Sequence, residues 1–507
     1  MKASYRLIMF ILLIIGSSLI YASAYAAIIT CNTLVADNST DNTAALNTCL
    51  NAAKNEPEKI VNIPSAGASS FKFNSTITVP AGVSVVGADG AKFNLRPGLV
   101  LKDYSKITNI DFVNTGGYIT VQIGTAGGGL VTGAEINDCS FGGSNWSTIL
   151  AWVANECIIN NNTITNTGTG QNICFLGGKR NRITNNKTNG GFTGIILKYD
   201  RRHNTSPDGM FEDNIIAYNN VGPHQEEGIS LDSNAAISAS TPELEYDTVS
   251  AVNGASITLS NVNWGGGDDP DYVGYYIVPC TGSAIGQYKK IMAQSGATFT
   301  VESAFSDLVP GDGVSINALY IGNVIAHNTV TGGFRADRIL IYGSAFHNRI
   351  EYNDVGIASE NGITIKSLDR GPVSNISVTG AAGRGPAGYN LIRNNTANAI
   401  YVRYRCNGAA GSYSPYNSYG NALVNNTITG KVTINYQYYY SSGNTGGFSL
   451  FETGANDCSG TTSSYAVALD STPLDTTDQT YTDYVEGIAK LDPPSGVRIE
   501  TIDDSSK

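Results

Sequence analysis

The chain has 507 residues, of which only 14% are charged, and its formal net charge at pH 7 is −11. So few charged residues, together with 57 Gly and 28 Tyr, argue against a mainly helical protein and favour strands and turns. The negative charge argues against a nucleic-acid-binding protein, because such proteins present basic surfaces to phosphates.

The N-terminus has the pattern of an export signal. Lys2 and Arg6 precede an apolar run over residues 7–20, and Ala24-Tyr-Ala26 gives an A-x-A cleavage pattern. The run is shorter than the roughly 20 apolar residues of a membrane span. Residues 1–26 are therefore predicted to be a secretory signal peptide rather than a retained anchor helix. We expect a secreted protein, periplasmic or extracellular, with no membrane span in its mature form.

Residues 27–80 have the pattern of an N-terminal cap. A polar stretch leads into Leu46, Cys49 and Leu50 at helical spacing, and the segments KIVNIP (59–64) and TVPAGVSVVGADG (78–90) follow. This order resembles the opening of the pectate-lyase-like right-handed β-helix superfamily, in which a short helix covers the open end of the solenoid. The resemblance implies the fold and says little about the substrate.

The eight cysteines of an exported chain can pair, although the sequence does not determine the connectivity. The first pairing that we predict is Cys31 with Cys49, and the second is Cys406 with Cys458. Three further cysteines lie inside strand patterns and are interpreted as small buried hydrophobic residues: Cys139, Cys157 and Cys174.

A repeated motif, an apolar residue followed three positions later by Asn, indicates a solenoid. Its aligned asparagines are Asn162, Asn186, Asn219, Asn328, Asn353, Asn395 and Asn426, with Cys139 in the equivalent position one coil earlier. Asn162 and Asn186 are 24 residues apart, and Asn328 and Asn353 are 25 residues apart. Stacked Asn side chains at tight turns can hydrogen-bond along the stack and to the backbone, so we predict a structural ladder rather than a binding site.

Five strand patterns define a second repeat, which we call the column. In each, two apolar residues in alternation point inward, and the next residue points outward. The outward residues are Lys198, Asp232, Tyr342, Lys366 and Arg403. The alignment extends the column upstream through Leu176, Trp152 and Gln122 and downstream to Asn435.

Both repeats predict an all-β right-handed parallel β-helix over residues 81–440 with a short N-terminal capping helix. An inserted small β module at residues 235–316 interrupts the helix, and a non-repeat tail at residues 441–507 follows it.

The superfamily resemblance implies that the catalytic groove runs along the column. Elimination from a uronic-acid sugar requires neutralisation of the carboxylate and a base that removes the adjacent proton. Lys198, Lys366 and Arg403 could supply both functions, and Tyr342 could relay the proton. Alanine at Lys366 or Arg403 is predicted to abolish turnover without unfolding the protein.

Further contacts are predicted around the column. Asp232 with Glu226 and Glu227 could bind Ca²⁺ through oxygen ligands. Residues predicted to bind the substrate are Trp152, Arg201, Arg202, His224 and Arg338. The expected function is therefore a secreted lyase that acts on an acidic, uronic-acid-containing polysaccharide.

Other functions stay open at this point. Hydrolysis needs two carboxyl groups across one bond, and Asp232 has Glu226, Glu227 and Asp200 as candidate partners. Uronate epimerisation uses nearly the same groups, and residues 222–228 (GPHQEEG) are faintly similar to the Asp-Pro-His motif of alginate epimerases, with Gly222 in place of the Asp. The other class is a non-catalytic surface or adhesion protein that binds carbohydrate, because a fold does not determine a function.

Overall fold

The computed structural model describes residues 28–96, 98–113, 118–199, 210–232, 244–260, 272–331, 336–356, 362–370, 383–406, 418–434, 438–442 and 449–452. The predicted signal peptide, Asn435, Cys458 and most of the predicted tail lie outside these ranges. Within them, no helix is long and apolar enough to cross a membrane.

The N-terminal cap consists of one helix, α1 (Thr43–Ala53), which packs on the first coil. Its buried face is formed by Leu46, Cys49 and Leu50, the residues whose spacing predicted it. A disulfide joins Cys49 to Cys31, which follows β1, so the first predicted pairing is confirmed. The first coils contain β1 (Ile29–Thr30), β2 (Ile60–Ile63), β3 (Phe71–Phe73), β4 (Ile77–Val79), β5 (Ser84–Gly87), β6 (Lys92–Leu95), β7 (Leu99–Leu101), β8 (Lys106–Thr108) and β9 (Asp111–Phe112).

The next coils pair with their neighbours in the same way. They contain β10 (Ile119–Ile123), β11 (Val131–Thr132), β12 (Glu135–Asn137), β13 (Ser140–Phe141), β14 (Ser147–Ala151), β15 (Ala154–Asn155), β16 (Ile158–Asn160), β17 (Thr163–Asn166), β18 (Gln171–Phe175), β19 (Arg182–Thr184), β20 (Lys187–Gly190), β21 (Ile195–Lys198), β22 (Phe211–Glu212), β23 (Ile215–Ala217), β24 (Asn220–Val221) and β25 (Ile229–Asp232). The three free cysteines interpreted as small hydrophobic residues are buried here, as predicted.

The inserted module is a closed antiparallel barrel of six strands in the order β26-β27-β30-β29-β28-β31. Its strands are β26 (Leu244–Asn253), β27 (Ser256–Leu259), β28 (Tyr276–Pro279), β29 (Lys289–Ser295), β30 (Thr298–Val301) and β31 (Gly313–Asn317). Ile257, Ile277 and Phe299 are buried. The Tyr276 hydroxyl donates to Glu212 Oε1 at 2.8 Å, and Lys179 Nζ lies 3.0 Å from the other oxygen of that carboxylate. These contacts fasten the barrel to the side of the β-helix.

Beyond the insertion the coils resume. They contain β32 (Tyr320–Ile321), β33 (Val324–Ala326), β34 (Thr329–Val330), β35 (Ile339–Tyr342), β36 (Ala345–Phe346), β37 (Arg349–Glu351), β38 (Asp354–Val355), β39 (Ile363–Arg370), β40 (Gly383–Gly385), β41 (Ala387–Gly388), β42 (Leu391–Arg393), β43 (Thr396–Cys406), β44 (Ser418–Val424), β45 (Thr427–Ile434), β46 (Tyr438–Ser442) and β47 (Ser449–Glu452).

Two long sheets wind together into the β-helix, one of 17 described strands and one of 22, and successive coils pair in parallel. The column strands belong to the larger sheet. Ile229 pairs with Ile339 and Leu231 with Ile341, and all four side chains are fully buried, as their alternation predicted. The stacked aliphatic side chains of both sheets fill the interior, so the fold is the predicted right-handed parallel β-helix.

The predicted Asn ladder is present. Asn219 and Asn328 lie on neighbouring coils although the barrel separates them in sequence, because Oδ1 of Asn328 accepts from both the backbone N–H and Nδ2 of Asn219 at 2.9 Å. Every described member is buried. The left-handed backbone conformation falls on the residue before each ladder Asn, for example Asn185 and Tyr218.

A second ladder, which the sequence analysis missed, runs five positions upstream. Its members are Asn181, Asn214, Asn323, Asn348, Asn390 and Asn421, and Cys157 precedes them. The second predicted strand of each coil is therefore broken into two short strands, such as β36 and β37. The break lies at His347, whose φ of 56° bends the chain before Asn348.

Candidate functional site

The column predicted from the sequence exists in the structure. Lys198 pairs with Asp232, Asp232 with Tyr342, Tyr342 with Lys366 and Lys366 with Arg403, on five consecutive coils. Lys198, Asp232 and Lys366 are partly exposed, whereas Tyr342 is buried beside Leu340. The side chain of Arg403 lies outside the described part of the structure.

The upstream end of the column requires a correction. Ala151 pairs with Phe175, and Phe175 pairs with Leu197. Trp152 and Leu176, the residues that follow Ala151 and Phe175, are therefore level with Lys198 and belong to the column. Gln122 does not, because it pairs with Leu150, two residues before Trp152. A two-residue shift keeps each side chain on the same face of the sheet. Alternation alone could therefore not reveal the error.

Three predicted substrate contacts lie beneath the surface. Trp152 is only 6% exposed, and its Nε1 donates to Gln122 Oε1 at 3.0 Å. The guanidinium of Arg338 is buried and donates to the Gly356 carbonyl at 2.8 Å. These side chains hold turns and loops in place. Arg201, Arg202 and Asp200 lie outside the described residues.

His224, the third of these contacts, is buried between two neighbouring segments. Its Nδ1 lies 2.6 Å from the Gly190 carbonyl oxygen, so Nδ1 carries the hydrogen, and Nε2 lies 3.3 Å from Thr188 Oγ1. Burial lowers the pKa of His224 to about 4. The imidazole is therefore neutral at neutral pH and ties the 222–227 loop to the preceding coil.

A group of carboxyl side chains, the carboxylate cluster, surrounds β25. Glu226, Glu227 and Asp337 lie where the column strands begin, and Asp232 is the last residue of β25. Burial, as the largest cause, and the negative charges of Asp232, Glu226 and Asp337 together raise the pKa of Glu227 to about 7. The register explains the proximity, because Glu227 and Asp337 each lie two residues before the paired Ile229 and Ile339. The cluster therefore combines a carboxyl group that is half protonated at neutral pH with several other carboxyl groups.

Asp337 is a site residue that the sequence analysis missed. It is 1% exposed, its Oδ2 accepts from Lys366 Nζ at 2.7 Å, and its Oδ1 accepts from Thr364 Oγ1 at 2.5 Å. An available signal was the recurrence of an acidic residue two positions before the first column isoleucine in two successive coils. Lys366 is thus a paired cation held against the strand edge.

Calcium binding by Glu226, Glu227 and Asp232 stays a prediction from the sequence. Within the described ranges, no three His, Cys, Asp or Glu side chains form a group that could hold a metal ion, and this includes Glu226, Glu227 and Asp232. No chemical step is therefore assigned to calcium.

Removing the cation of the buried ion pair is expected to destabilise the protein. Loss of one partner of a buried pair costs about 3–5 kcal/mol, and the 18% exposure of the Lys366 side chain favours about 3 kcal/mol for Lys366→Met. This expectation replaces the earlier prediction that substitution of Lys366 leaves the fold unaffected. Urea unfolding measures the change.

Two controls accompany that measurement. Lys187→Met changes an exposed lysine on the same sheet and should shift the free energy of unfolding by about 0.5 kcal/mol or less. Adding Asp337→Asn to Lys366→Met should restore most of the lost stability, because the unpaired buried charge is then absent. Equal costs for the two lysine variants would show that the pair contributes nothing to stability.

The fold and the column define a right-handed parallel β-helix protein. Residues 97–263 match the family described as "Right handed beta helix region". No curated protein matches the chain in sequence.

Solved structures with a similar course of the chain include three β-helix proteins. The Dettilon tailspike protein has a TM-score of 0.45 and 12% identity, over 83% of this chain and 68% of that one. The A-module of the Azotobacter vinelandii mannuronan C-5 epimerase AlgE6 has a TM-score of 0.39 and 10% identity, over 83% and 99%. The Streptococcus pneumoniae surface adhesin PfbA has a TM-score of 0.36 and 9% identity, over 84% and 98%. At these values, neither activity nor ligand follows from the likeness.

Proposed function

We propose that the protein is a polysaccharide-active enzyme that hydrolyses a glycosidic bond in the groove along the column. The observation that carries this proposal is the raised pKa of Glu227, about 7, in a cluster of carboxyl groups. Glycosidases combine one protonated carboxylic acid with one carboxylate. An environment that separates the pKa values of neighbouring carboxyl groups identifies the acid and the base.

Glu227 is the proposed general acid, and it donates its proton to the oxygen of the leaving sugar as the glycosidic bond breaks. Asp232, partly exposed and near enough to raise the pKa of Glu227, is the proposed carboxylate that acts as base on a water molecule or as nucleophile. Asp337 holds Lys366 at 2.7 Å. It is proposed to position the ammonium group toward the substrate rather than to react.

The proposed substrate is an acidic polysaccharide. Lys198 and Lys366 lie on either side of Asp232 in the column, and each is partly exposed. A sugar carboxylate in the groove would find an ammonium group on each side of the reacting bond. Charge-assisted contacts of this kind are stronger than neutral hydrogen bonds.

Elimination from a uronate is the second candidate reaction, and the column favours it through the alignment of Lys198, Lys366 and Arg403 on one strand face. It ranks second for two reasons. The Lys366 charge is already paired with Asp337, and Tyr342, the proposed proton relay, is buried. Epimerisation requires the same base and ranks with elimination.

The proposed location is outside the cytoplasm. The N-terminal export pattern supports it, and so does the disulfide between Cys31 and Cys49, because disulfides persist in oxidising compartments.

Product analysis on a panel of acidic and neutral polysaccharides tests the reaction type. Hydrolysis is expected to release reducing ends without the ultraviolet absorbance of an unsaturated sugar. Appearance of that absorbance would replace hydrolysis by elimination, and binding without products would indicate an adhesion protein. The calcium requirement predicted from the sequence is tested in the same assay, by adding a chelator and then restoring Ca²⁺.

A further inference from the structure

Three aromatic side chains form a stripe along the edge where the column strands begin: Tyr118, Trp146 and Phe192. The backbone N–H of Trp146 donates to the Tyr118 carbonyl at 3.1 Å, and that of Phe192 to the Gly170 carbonyl at 2.8 Å. Gly170 lies opposite Trp146, because the residues that follow them are paired. The aromatic stripe therefore occupies one equivalent position on successive coils, with Gly170 between Trp146 and Phe192.

The stripe is exposed although its side chains are apolar. Tyr118 is 65% exposed and Phe192 is 40% exposed, and Trp146 is partly exposed. The rings of Tyr118 and Trp146 lie 4.7 Å apart, and the Trp146 ring packs edge-on against the buried Trp152 at 5.6 Å. Exposed apolar groups gathered in this way mark a binding surface.

Gly170 leaves an opening within the stripe. A Cβ atom at this position would lie 2.5 Å from the Ser144 carbonyl oxygen, so the backbone approach excludes a larger residue. With about 4.8 Å between coils, the positions of Trp146 and Phe192 are roughly 10 Å apart. Gly170 itself contributes no side chain between the positions of the Trp146 and Phe192 rings.

The stripe continues into the carboxylate cluster. The backbone N–H of Glu226 donates to the Phe192 carbonyl at 2.8 Å, so Glu226 occupies the next position of the same edge, and Glu227 is the adjacent residue. A chain molecule that lies along the stripe is thereby led to the proposed general acid. Aromatic rings bind the apolar faces of other rings by stacking while their edges stay in contact with water.

We propose that the aromatic stripe is a row of sugar-binding subsites that holds the pyranose rings of a polysaccharide chain on one side of Glu227. The proposal deepens the proposed function and rests on it for the identity of the occupant. Because stacking uses the apolar faces of sugars, the stripe selects for pyranose rings, whereas the column lysines select for charge.

The test compares Tyr118→Ala/Phe192→Ala with Tyr104→Ala, which removes a tyrosine that is 60% exposed on a turn between β7 and β8. Trp146 is left unchanged because its ring packs on Trp152. Affinity electrophoresis in gels that contain polygalacturonate, alginate or dextran gives the dissociation constant. The double variant should bind about 5- to 150-fold more weakly, because it removes two stacking contacts. The control variant should bind like the wild type.

The outcomes separate the stripe from the proposed reaction. If the double variant binds more weakly and the wild type cleaves none of the polymers, the stripe is supported and the proposed hydrolase is overturned. If the double variant binds as tightly as the wild type and the wild type cleaves a polymer, only the stripe proposal is overturned. Sedimentation velocity tests the alternative that a second copy of the chain occupies the stripe. If the double variant loses self-association and keeps its sugar binding, the stripe is an interface between copies and the proposal is overturned. Failure of the wild type to bind any of the three polymers also overturns the proposal.

Discussion

Glu227→Gln is expected to lower the turnover number about 10²- to 10⁴-fold, the usual contribution of a positioned general acid. The amide keeps the size of the side chain but has no acidic proton to give to the leaving oxygen. Initial rates on the polysaccharide identified by product analysis provide the measurement. Glu226→Gln is the matched control, because it removes a neighbouring carboxylate from the same loop and is expected to retain most of the activity.

The pH dependence follows from the same group. The active form of Glu227 is protonated, and its pKa is about 7, so the turnover number should fall about tenfold per pH unit above pH 7. It should also fall at strongly acidic pH, because the second carboxyl group must be ionised to act as base or nucleophile. Glu226→Gln should move this decline to lower pH, since the Glu226 charge contributes to raising the pKa. A turnover number that still rises between pH 7 and 9 would eliminate Glu227 as the acid.

The stability of the folded protein should also depend on the ionisation of Glu227. The pKa of Glu227 is higher in the folded state than in the unfolded state, so at low pH, where the carboxyl group is protonated, Glu227 does not reduce the stability of the fold. Part of that stability is lost as the pH rises through 7. Glu227→Gln does not ionise, and its unfolding midpoint relative to the wild type should therefore increase between pH 5 and pH 8. An unchanged difference over that range would mean that Glu227 is not desolvated.

The repeat was predictable because each coil buries apolar side chains at the same positions. Ile229 and Ile339 are fully buried in register, and a two-residue alternation followed by a fixed interval is sufficient to locate such pairs. The second ladder carried an almost equally regular signal, an Asn five residues before each member of the first except Asn162, where Cys157 stands. It was missed because the segment between the two asparagines was interpreted as one continuous strand.

The site was only partly predictable, because pointing away from the core does not ensure exposure. A separate apolar cluster of Leu150, Cys174 and Ile196 lies on the outer face of the column sheet, and it buries Trp152. Asp337 was missed because it precedes its strand, where alternation no longer reports direction. The pairing of Lys366 with Asp337 depends on side chains from neighbouring coils, and no sequence interval encodes that contact.

Asn328→Ala is expected to be among the most destabilising single substitutions in the chain. Nδ2 of Asn328 donates to the Ile216 carbonyl at 2.9 Å and to Asn353 Oδ1 at 3.0 Å, and its Oδ1 accepts two bonds from Asn219. Alanine removes all four and leaves buried donors and acceptors on two coils without partners. Each orphaned group costs about 1–3 kcal/mol, so a loss of about 4 kcal/mol is expected.

Urea unfolding tests this expectation against two further variants. Asn328→Asp keeps an oxygen for Asn219 but turns a carboxylate toward the Ile216 carbonyl, so it should be at least as damaging at neutral pH and less so in acid. Asn220→Ala changes the exposed residue that follows the ladder partner Asn219, and it should cost about 0.5 kcal/mol or less. The two coils that Asn328 joins are adjacent only because the barrel is looped out between them. If Asn328→Ala unfolds at the same urea concentration as Asn220→Ala, the ladder does not hold the coils together.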